Sequence, residues 1–298
     1  RFIDLFGWGD SLIFFIKAKN WILMSINIII PVFNRINDTK KIISNLRVQN
    51  TSEEIKVLII DDGSTDGTSE WLKSQKDLFF LRGNGKLLWG GAINLGINYI
   101  IKNHPNDEWI LLINNDLEVK KDYVDNLLKV AKINYPAAVG SVIKNKKNEI
   151  VSLGPKIDPF KLEVKEIYRK DLVLKKNILK DVDALSGRGV IYPLKSIIEA
   201  KGLNSKIFPH YYGDYSLSMK IKKKGYKLIT SMEAVVFTDE NFENLRKQRK
   251  KYTIIRKLFS RKSTSLFYSY FFFWWQASNF KQKLSLPLRM LIFTIKPG

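Results

Sequence analysis

Residues 55–68 read IKVLIIDDGSTDGT. Ile55 to Ile60 is a short run dominated by Val, Ile and Leu, the pattern of a strand buried on both faces in a parallel sheet. It stops at Asp61-Asp62-Gly63-Ser64, four turn formers in succession. Thr65 or Asp66 can then cap a helix through Leu72. The same unit of strand, polar tip and helix recurs in both directions. Upstream, Ser25–Val32 (SINIIIPV) is an apolar run closed by Pro31 and Asn34, and Asp38–Gln49 sets Ile42, Ile43 and Leu46 at helical spacing. Downstream come a short strand at Phe79–Leu81, a helix at Gly91–Lys102 with Ile93, Ile97 and Ile101 on one face, and a strand at Trp109–Ile113. A helix at Asp122–Ile133 and a strand at Ala138–Ile143 follow.

This alternation predicts an α/β fold with an open, mostly parallel sheet and helices on both faces. In such sheets ligands sit outside the carboxyl ends of the strands. Three polar clusters directly follow strands: Phe33-Asn34-Arg35, Asp61-Asp62 and Asn114-Asn115-Asp116. All three are expected to converge on one edge. Beyond residue 150 the pattern weakens. Ile150–Lys180 reads as charged loops and a hairpin, and Ser186-Gly187-Arg188-Gly189 as a flexible turn between two short apolar runs. Lys195–Lys201 is a short helix. Tyr215–Lys224 is a helix entered from Gly213-Asp214, and Lys227–Ile229 and Ala234–Phe237 are closing strands.

The chain has 298 residues, 45% of them hydrophobic, enough for a sizeable core. It has no cysteine, which excludes disulfides and thiolate metal sites and fits a reducing compartment. With only His104 and His210, a metal would have to be held by oxygen, which favours Mg²⁺ or Mn²⁺. The net charge is +21, and residues 241–298 hold thirteen Lys or Arg against one acid, Glu243. Such a surface attracts phosphorylated substrates, anionic lipid or nucleic acid. No nucleic-acid-binding module signature accompanies it. Residues 1–24 carry an apolar patch, Leu12–Ile16, too short to span a bilayer and without a signal-peptide cleavage pattern. They are expected to be an extension before a domain opening near Met24, from a mis-assigned start or a fragment, or else an amphipathic anchor. Residues 263–280 (STSLFYSYFFFWWQASNF) are uncharged, with Arg261-Lys262 and Lys281 and Lys283 at their edges. Aromatics with cationic flanks suit a bilayer interface, and Leu284–Ile295 can do the same. The alternative is a pair of helices packed on the domain.

Several residues can carry chemistry, each beside a plainer role. Asp61 and Asp62 can accept hydrogen bonds from a nucleobase or ribose, or simply form a turn. Asp116, with Asn114 and Asn115, can hold a divalent ion against two phosphates, or cap the helix near Asp122. Gly85, Gly90 and Gly91 let backbone approach an anion or a sugar, and Trp89 can stack on a sugar face or fill a core. Asp214, at a helix start, can act as a general base or an N-cap. His210 is a second candidate base or a structural side chain.

Taken in order, IIIPVFNR (28–35), IIDDGSTDGT (59–68), GNGKLLWGGAINLGI (83–97), ILLINNDLEV (110–119), SGRGVIYP (186–193) and FPHYYGDYSLSMKIKKKGYKL (208–228) resemble the family 2 inverting glycosyltransferases of GT-A fold. The resemblance covers about residues 26–240. It implies a mixed, mostly parallel GT-A sheet at 25–240 with a basic, aromatic helical extension at 241–298. It also implies sugar transfer from a UDP- or dTDP-activated donor to a saccharide or lipid-linked acceptor in cell-surface polysaccharide synthesis. The details resemble bacterial surface-polysaccharide enzymes, rhamnosyltransferases among them. By the same resemblance Pro31, Phe33, Asn34, Arg35, Asp61, Asp62, Gly85, Gly91, Asn94, Asn114 and Asn115 line the donor pocket. Asp116 holds Mg²⁺ or Mn²⁺, and Asp214 is the base. Trp89, Arg188, His210 and Tyr212 belong to loops over donor or acceptor. The implied location is cytoplasmic, peripheral at the inner face of the membrane through the tail, with no nucleic-acid partner. The sequence departs from the family pattern in three places. Asn114 stands where a metal-motif carboxylate is expected, Gly213 precedes the base in place of Glu, and no His follows Val236. The competing readings are a nucleotidyltransferase on a similar sheet, which would need an early Gly-rich, Arg-containing loop, and a non-catalytic basic nucleic-acid- or membrane-binding protein.

Overall fold

The computed structural model describes residues 15–16, 26–167, 178–179, 182–239 and 266–295. The expectations for residues 1–24 (Phe15–Ile16 excepted) and for the basic stretch 240–265 lie outside them. The chain order is β1 (Phe15–Ile16), β2 (Ile26–Val32), α1 (Ile36–Arg47), β3 (Ile55–Asp61), α2 (Thr68–Ser74), β4 (Phe79–Arg82), α3 (Leu88–Asn103), β5 (Trp109–Leu112), β6 (Leu117–Val119), α4 (Tyr123–Ile133) and β7 (Ala137–Asn145). Then come β8 (Ile150–Ser152), β9 (Pro155–Asp158), β10 (Glu163–Glu166), β11 (Ile178–Leu179), β12 (Val190–Pro193), α5 (Leu194–Glu199), α6 (Gly213–Lys223) and β13 (Lys227–Thr238). Two helices end the series, α7 (Phe267–Ala277) and α8 (Phe280–Ile295).

The main sheet runs β1-β4-β3-β2-β5-β12-β7-β13-β11, with β6 on β13 and β8 on β7. β4, β3, β2 and β5 are mutually parallel, as are β7 and β13. β12 lies antiparallel between β5 and β7 and joins the two halves. The architecture is thus a mixed sheet with helices on both faces, as the resemblance implies, and a pair of C-terminal helices.

Strand alternation explains the two-sided covering. Ile26, Ile28 and Ile30 point to α1 and α4, where Ile42, Ile43, Leu127 and Leu128 are buried. Ile29 points the other way, to Ile93, Ile97 and Ile100 of α3 and onward to Leu217 of α6. Each fully buried Ile or Leu contributes about 1.5–3 kcal/mol. At the opposite end of the sheet from the polar clusters, Lys56 is buried and pairs with Asp107 at 2.9 Å, while Asn27 donates to the same carboxylate at 2.8 Å.

Some boundaries differ from the sequence reading, for local reasons. Residues 227–238 form a single strand with a bulge between Ser231 and Val235, so the gap read between two closing strands is an irregularity in the ladder. α3 begins at Leu88, before the Gly90-Gly91 pair. Asp66 caps two helices at once: its Oδ1 accepts from the Thr68 amide at 3.1 Å, and its Oδ2 accepts from the Ile36 amide at 2.8 Å. The run Ser186–Gly189 leads straight into β12, because the apolar residues that follow it pair with β5. β9 and β10 are the expected hairpin.

Candidate active site

The crevice opens at the carboxyl ends of β2, β3 and β5. β3 ends in Asp61, fully buried, which accepts from the Ser64 amide at 2.9 Å and from the Ser69 hydroxyl. Asp62 turns toward the next loop and accepts from the amides of Gly85 at 2.9 Å and Leu88 at 3.0 Å. Burial pushes the Asp62 carboxyl above its ordinary range, against the lowering effect of those amide bonds. From β2, Pro31 leads to an exposed Phe33 and then to Asn34 and Arg35, both in the left-handed region with φ of 57° and 68°. Asn34 is held there by Ser64 and Thr65: its amide donates to Ser64 Oγ at 2.8 Å, and its Oδ1 accepts from the Thr65 amide at 2.9 Å.

Left-handed φ at non-glycine residues costs energy and persists only where neighbours enforce it. Here it recurs at Leu88 and Tyr212, the residues at the starts of α3 and α6. Of the seven such residues among the described residues, four lie in the loops and helix starts around these clusters.

After β5, the three residues of the Asn-Asn-Asp cluster go to different partners. Asn114 Oδ1 accepts from the Trp89 indole at 2.9 Å. Asn115 is buried and donates to Thr39 Oγ1 of α1 at 3.1 Å, which ties this loop to the first helix. Asp116 Oδ2 pairs with Arg35 at 2.8 Å, while its Oδ1 is buried and meets no hydrogen-bond donor among the described residues. An orphaned carboxylate oxygen at the crevice fits a hard cation. No group of three His, Asp or Glu able to hold a metal occurs among the described residues. An ion here would take one protein carboxylate and complete its shell from donor phosphates and water, as Mg²⁺ commonly does.

Trp89 is the hinge of the arrangement. The edge of its six-membered ring lies against Gly187, where an added Cβ would overlap Cζ2, and 3.3 Å from where a Cβ on Gly213 would stand. Gly187 in turn donates its amide to Asp214 Oδ2 at 2.9 Å, and the Tyr215 amide donates to Asp214 Oδ1 at 2.9 Å. Gly90 lies so close to the Phe208 carbonyl that a Cβ there would overlap it, and its amide donates to the Pro209 carbonyl at 2.8 Å. One indole thus connects the β5 cluster to the loops that deliver Asp214.

Desolvation pushes the Asp214 carboxyl above its ordinary value, opposed by the Gly187 and Tyr215 amides and by the Arg188 charge. Beside it lies a group that the sequence did not flag. Glu166 of β10 accepts from Tyr215 Oη at 3.1 Å and from the Ser152 hydroxyl. Burial raises its pKa, and the Asp214 charge adds to that. Glu166 sits in the weakly patterned stretch 150–180, where no motif marks it. Arg188 faces this carboxylate pair electrostatically. His210 packs edge-on against Tyr211, with ring centroids 4.6 Å apart. Tyr212 stacks on Phe273 of α7 at 4.5 Å. Gly85 and Gly91 flank the loop over Asp62. Asn94 lies along α3, near Gly202.

The sequence profile described as glycosyl transferase family 2 matches residues 27–187, more than half of the chain. The chain belongs to that family, and the nucleotidyltransferase reading falls away. Among curated proteins it is similar to an uncharacterized glycosyltransferase of Mycoplasma genitalium, 29% identical over 157 residues, which are 49% of this chain and 50% of that one. It is also similar to Agl10 of Haloferax volcanii, a low-salt glycan biosynthesis hexosyltransferase, 22% identical over 71% of this chain and 66% of that one. The chain therefore spans about half to two thirds of the length of these relatives. Among solved structures it resembles GalNAc-T7 with UDP, GalNAc and Mn²⁺ (TM-score 0.58, 12% identity, 72% of this chain and 44% of that one). It also resembles the mannosyltransferase PcManGT of Pyrobaculum calidifontis with GDP-Man and Mn²⁺ (TM-score 0.54, 15% identity, 90% and 73%). At these identities the likeness establishes the fold.

Proposed function

We propose that the chain transfers a sugar, with inversion, from a UDP- or dTDP-activated donor to a hydroxyl of a saccharide or lipid-linked acceptor in cell-surface polysaccharide synthesis. The observation that carries this is the Trp89 junction. It ties Asn114, two residues before Asp116, to Gly187 and to the turn that carries Asp214, which supports a reading in which both carboxylates act on one bound donor. Asp61, Asp62, Asn34 and Phe33 receive the nucleoside. Asp116 would hold Mg²⁺ or Mn²⁺, which would supply Lewis-acid neutralisation of the departing diphosphate. Arg35, already paired to Asp116, reaches the same phosphates.

Asp214 accepts the proton of the acceptor hydroxyl as its oxygen attacks the anomeric carbon. The bond from that carbon to the diphosphate oxygen breaks, and the nucleoside diphosphate leaves. A carboxyl with a raised pKa is a stronger base than a solvated one, which suits this step. Arg188 and Glu166 border the acceptor side. The neighbours solved with UDP or GDP-Man and Mn²⁺ support nucleotide-sugar donors and a divalent ion, and the similarity to Agl10 supports glycan synthesis. Asp214 lies beyond the profile match, so its role rests on the motif resemblance and the geometry. The proposed site of action is the inner face of the cell membrane, reached through the C-terminal tail. A screen of UDP- and dTDP-sugars for donor hydrolysis with Mg²⁺ or Mn²⁺ tests the proposal. At least one donor is expected to turn over only with metal, and turnover that is insensitive to Asp116→Ala would refute the assignment.

A further inference from the structure

Helices α7 and α8 present two unlike faces. The inner face is anchored beside the crevice. Phe273 and Trp274 are buried, and Phe273 stacks on Tyr212. Gln276 accepts from Ser216 Oγ at 2.6 Å and donates to the Ser216 carbonyl at 2.8 Å. Tyr212 and Ser216 lie two residues either side of Asp214, so this face grips the turn that carries the proposed base.

The outer face carries exposed apolar side chains. Phe280, Leu284, Leu288 and Leu291 recur at i, i+4, i+8 and i+11, forming one stripe of α8, and all are exposed, Phe280 by 77% and Leu284 by 73%. Phe272 and Trp275 of α7 are exposed as well. Lys283 Nζ lies 5.2 Å over the Trp275 ring, which brings the two helices' outer residues together. Arg289 donates to the Phe160 carbonyl at 2.9 Å and sits over the Phe160 ring, so that exposed aromatic of the β9–β10 turn adjoins the stripe.

The charges are one-sided. Residues 266–295 contain Lys281, Lys283 and Arg289 and no acid, within a tail of net charge +12. No described helix is long and apolar enough to cross a membrane. Exposed aromatic and leucine side chains edged by lysines, with no acid among them, complement an anionic lipid surface. The rings enter the headgroup boundary and the lysines meet the phosphates.

We propose that the outer face of α7–α8 seats on an anionic bilayer, while its inner face holds the Asp214 crevice close above the headgroups. That position serves an acceptor whose hydroxyl is presented on a lipid, and it selects the lipid-linked class over a free saccharide. The acceptor half of this inference rests on the transferase reading, whereas the docking half does not.

The test uses the full chain with vesicles of phosphatidylglycerol and, separately, of phosphatidylcholine. Binding to the anionic vesicles is expected to be at least about tenfold tighter. The variant Phe272→Ser/Trp275→Ser/Leu284→Ser/Leu288→Ser is expected to lose at least about tenfold of that binding with donor hydrolysis unchanged. Lys281→Glu/Lys283→Glu, which leaves the apolar face intact, should weaken anionic binding alone and guards against a misfolded quadruple variant. Equal binding to both vesicle types, or undiminished binding by both variants, overturns the proposal. So does a wild-type dimer in solution that the quadruple variant makes monomeric, which would assign the face to a second copy. Vesicle binding without donor hydrolysis would instead refute the transferase reading and leave the docking face standing.

Discussion

Asp214→Asn replaces one oxygen by an amide in a side chain that accepts two backbone N–H bonds, from Gly187 and Tyr215. The asparagine can accept only one of them and sets its NH₂ against the other donor, a cost of about 1–3 kcal/mol. A second effect opposes it. Burial raises the Asp214 pKa, so the ionised form destabilises the fold at neutral pH, and a neutral amide removes that strain. The sign follows from the raised value: Asp214's contribution to stability is full below its ordinary pKa of 3.8 and is lost as pH rises through the folded value. Asp214→Asn lacks this pH dependence. At neutral pH the two effects offset each other, and stability should change by no more than about 1–2 kcal/mol. Activity should not be spared. Removing a positioned general base costs about 10²–10⁴-fold, or about 3–5 kcal/mol. The assay is sugar transfer or donor hydrolysis, with a urea melt of the same preparation. The wild-type rate should rise with pH through a midpoint above the ordinary Asp range. A folded Asp214→Asn protein keeping more than a tenth of wild-type transfer would refute the base assignment.

Other outcomes follow from the same contacts. Asp116→Ala should reduce metal-dependent turnover by about 10²-fold or more, with little change in melting temperature, as read from metal titrations. Gly90→Ala drives a methyl into the Phe208 carbonyl and should destabilise by about 1–3 kcal/mol in urea unfolding. Asp107→Ala leaves Lys56 buried without its carboxylate and should cost about 3 kcal/mol in the same measurement, although it lies at the far end of the sheet from the crevice.

The parallel half of the sheet was legible because β2, β3 and β5 announce themselves as apolar runs ending in polar tips. The polar cluster at the strand ends was legible for the same reason: Asn34, Asp61 and Asp116 are those tips, and Ser64, Thr65 and Arg35 link them. The insertion of β12 was not, since four residues after a glycine-rich turn carry no periodicity, and their place is set by ladder partners far along the chain. Trp89 was read as a sugar platform or core filler. Its task as a brace between Asn114, Gly187 and Gly213 depends on two glycines that only the folded chain brings to it. Glu166 stayed hidden because its meaning lies in contacts to Ser152 and Tyr215, with no motif of its own.

Calorimetric titration of a nucleoside diphosphate in the presence and absence of Mn²⁺ tests most directly whether the strand-end carboxylates grip a pyrophosphate-bearing ligand. Wild type should bind with metal, Asp61→Ala should weaken binding with or without it, and Asp116→Ala should abolish only the metal-dependent gain. Binding that neither substitution alters would place the ligand elsewhere and contradict the account.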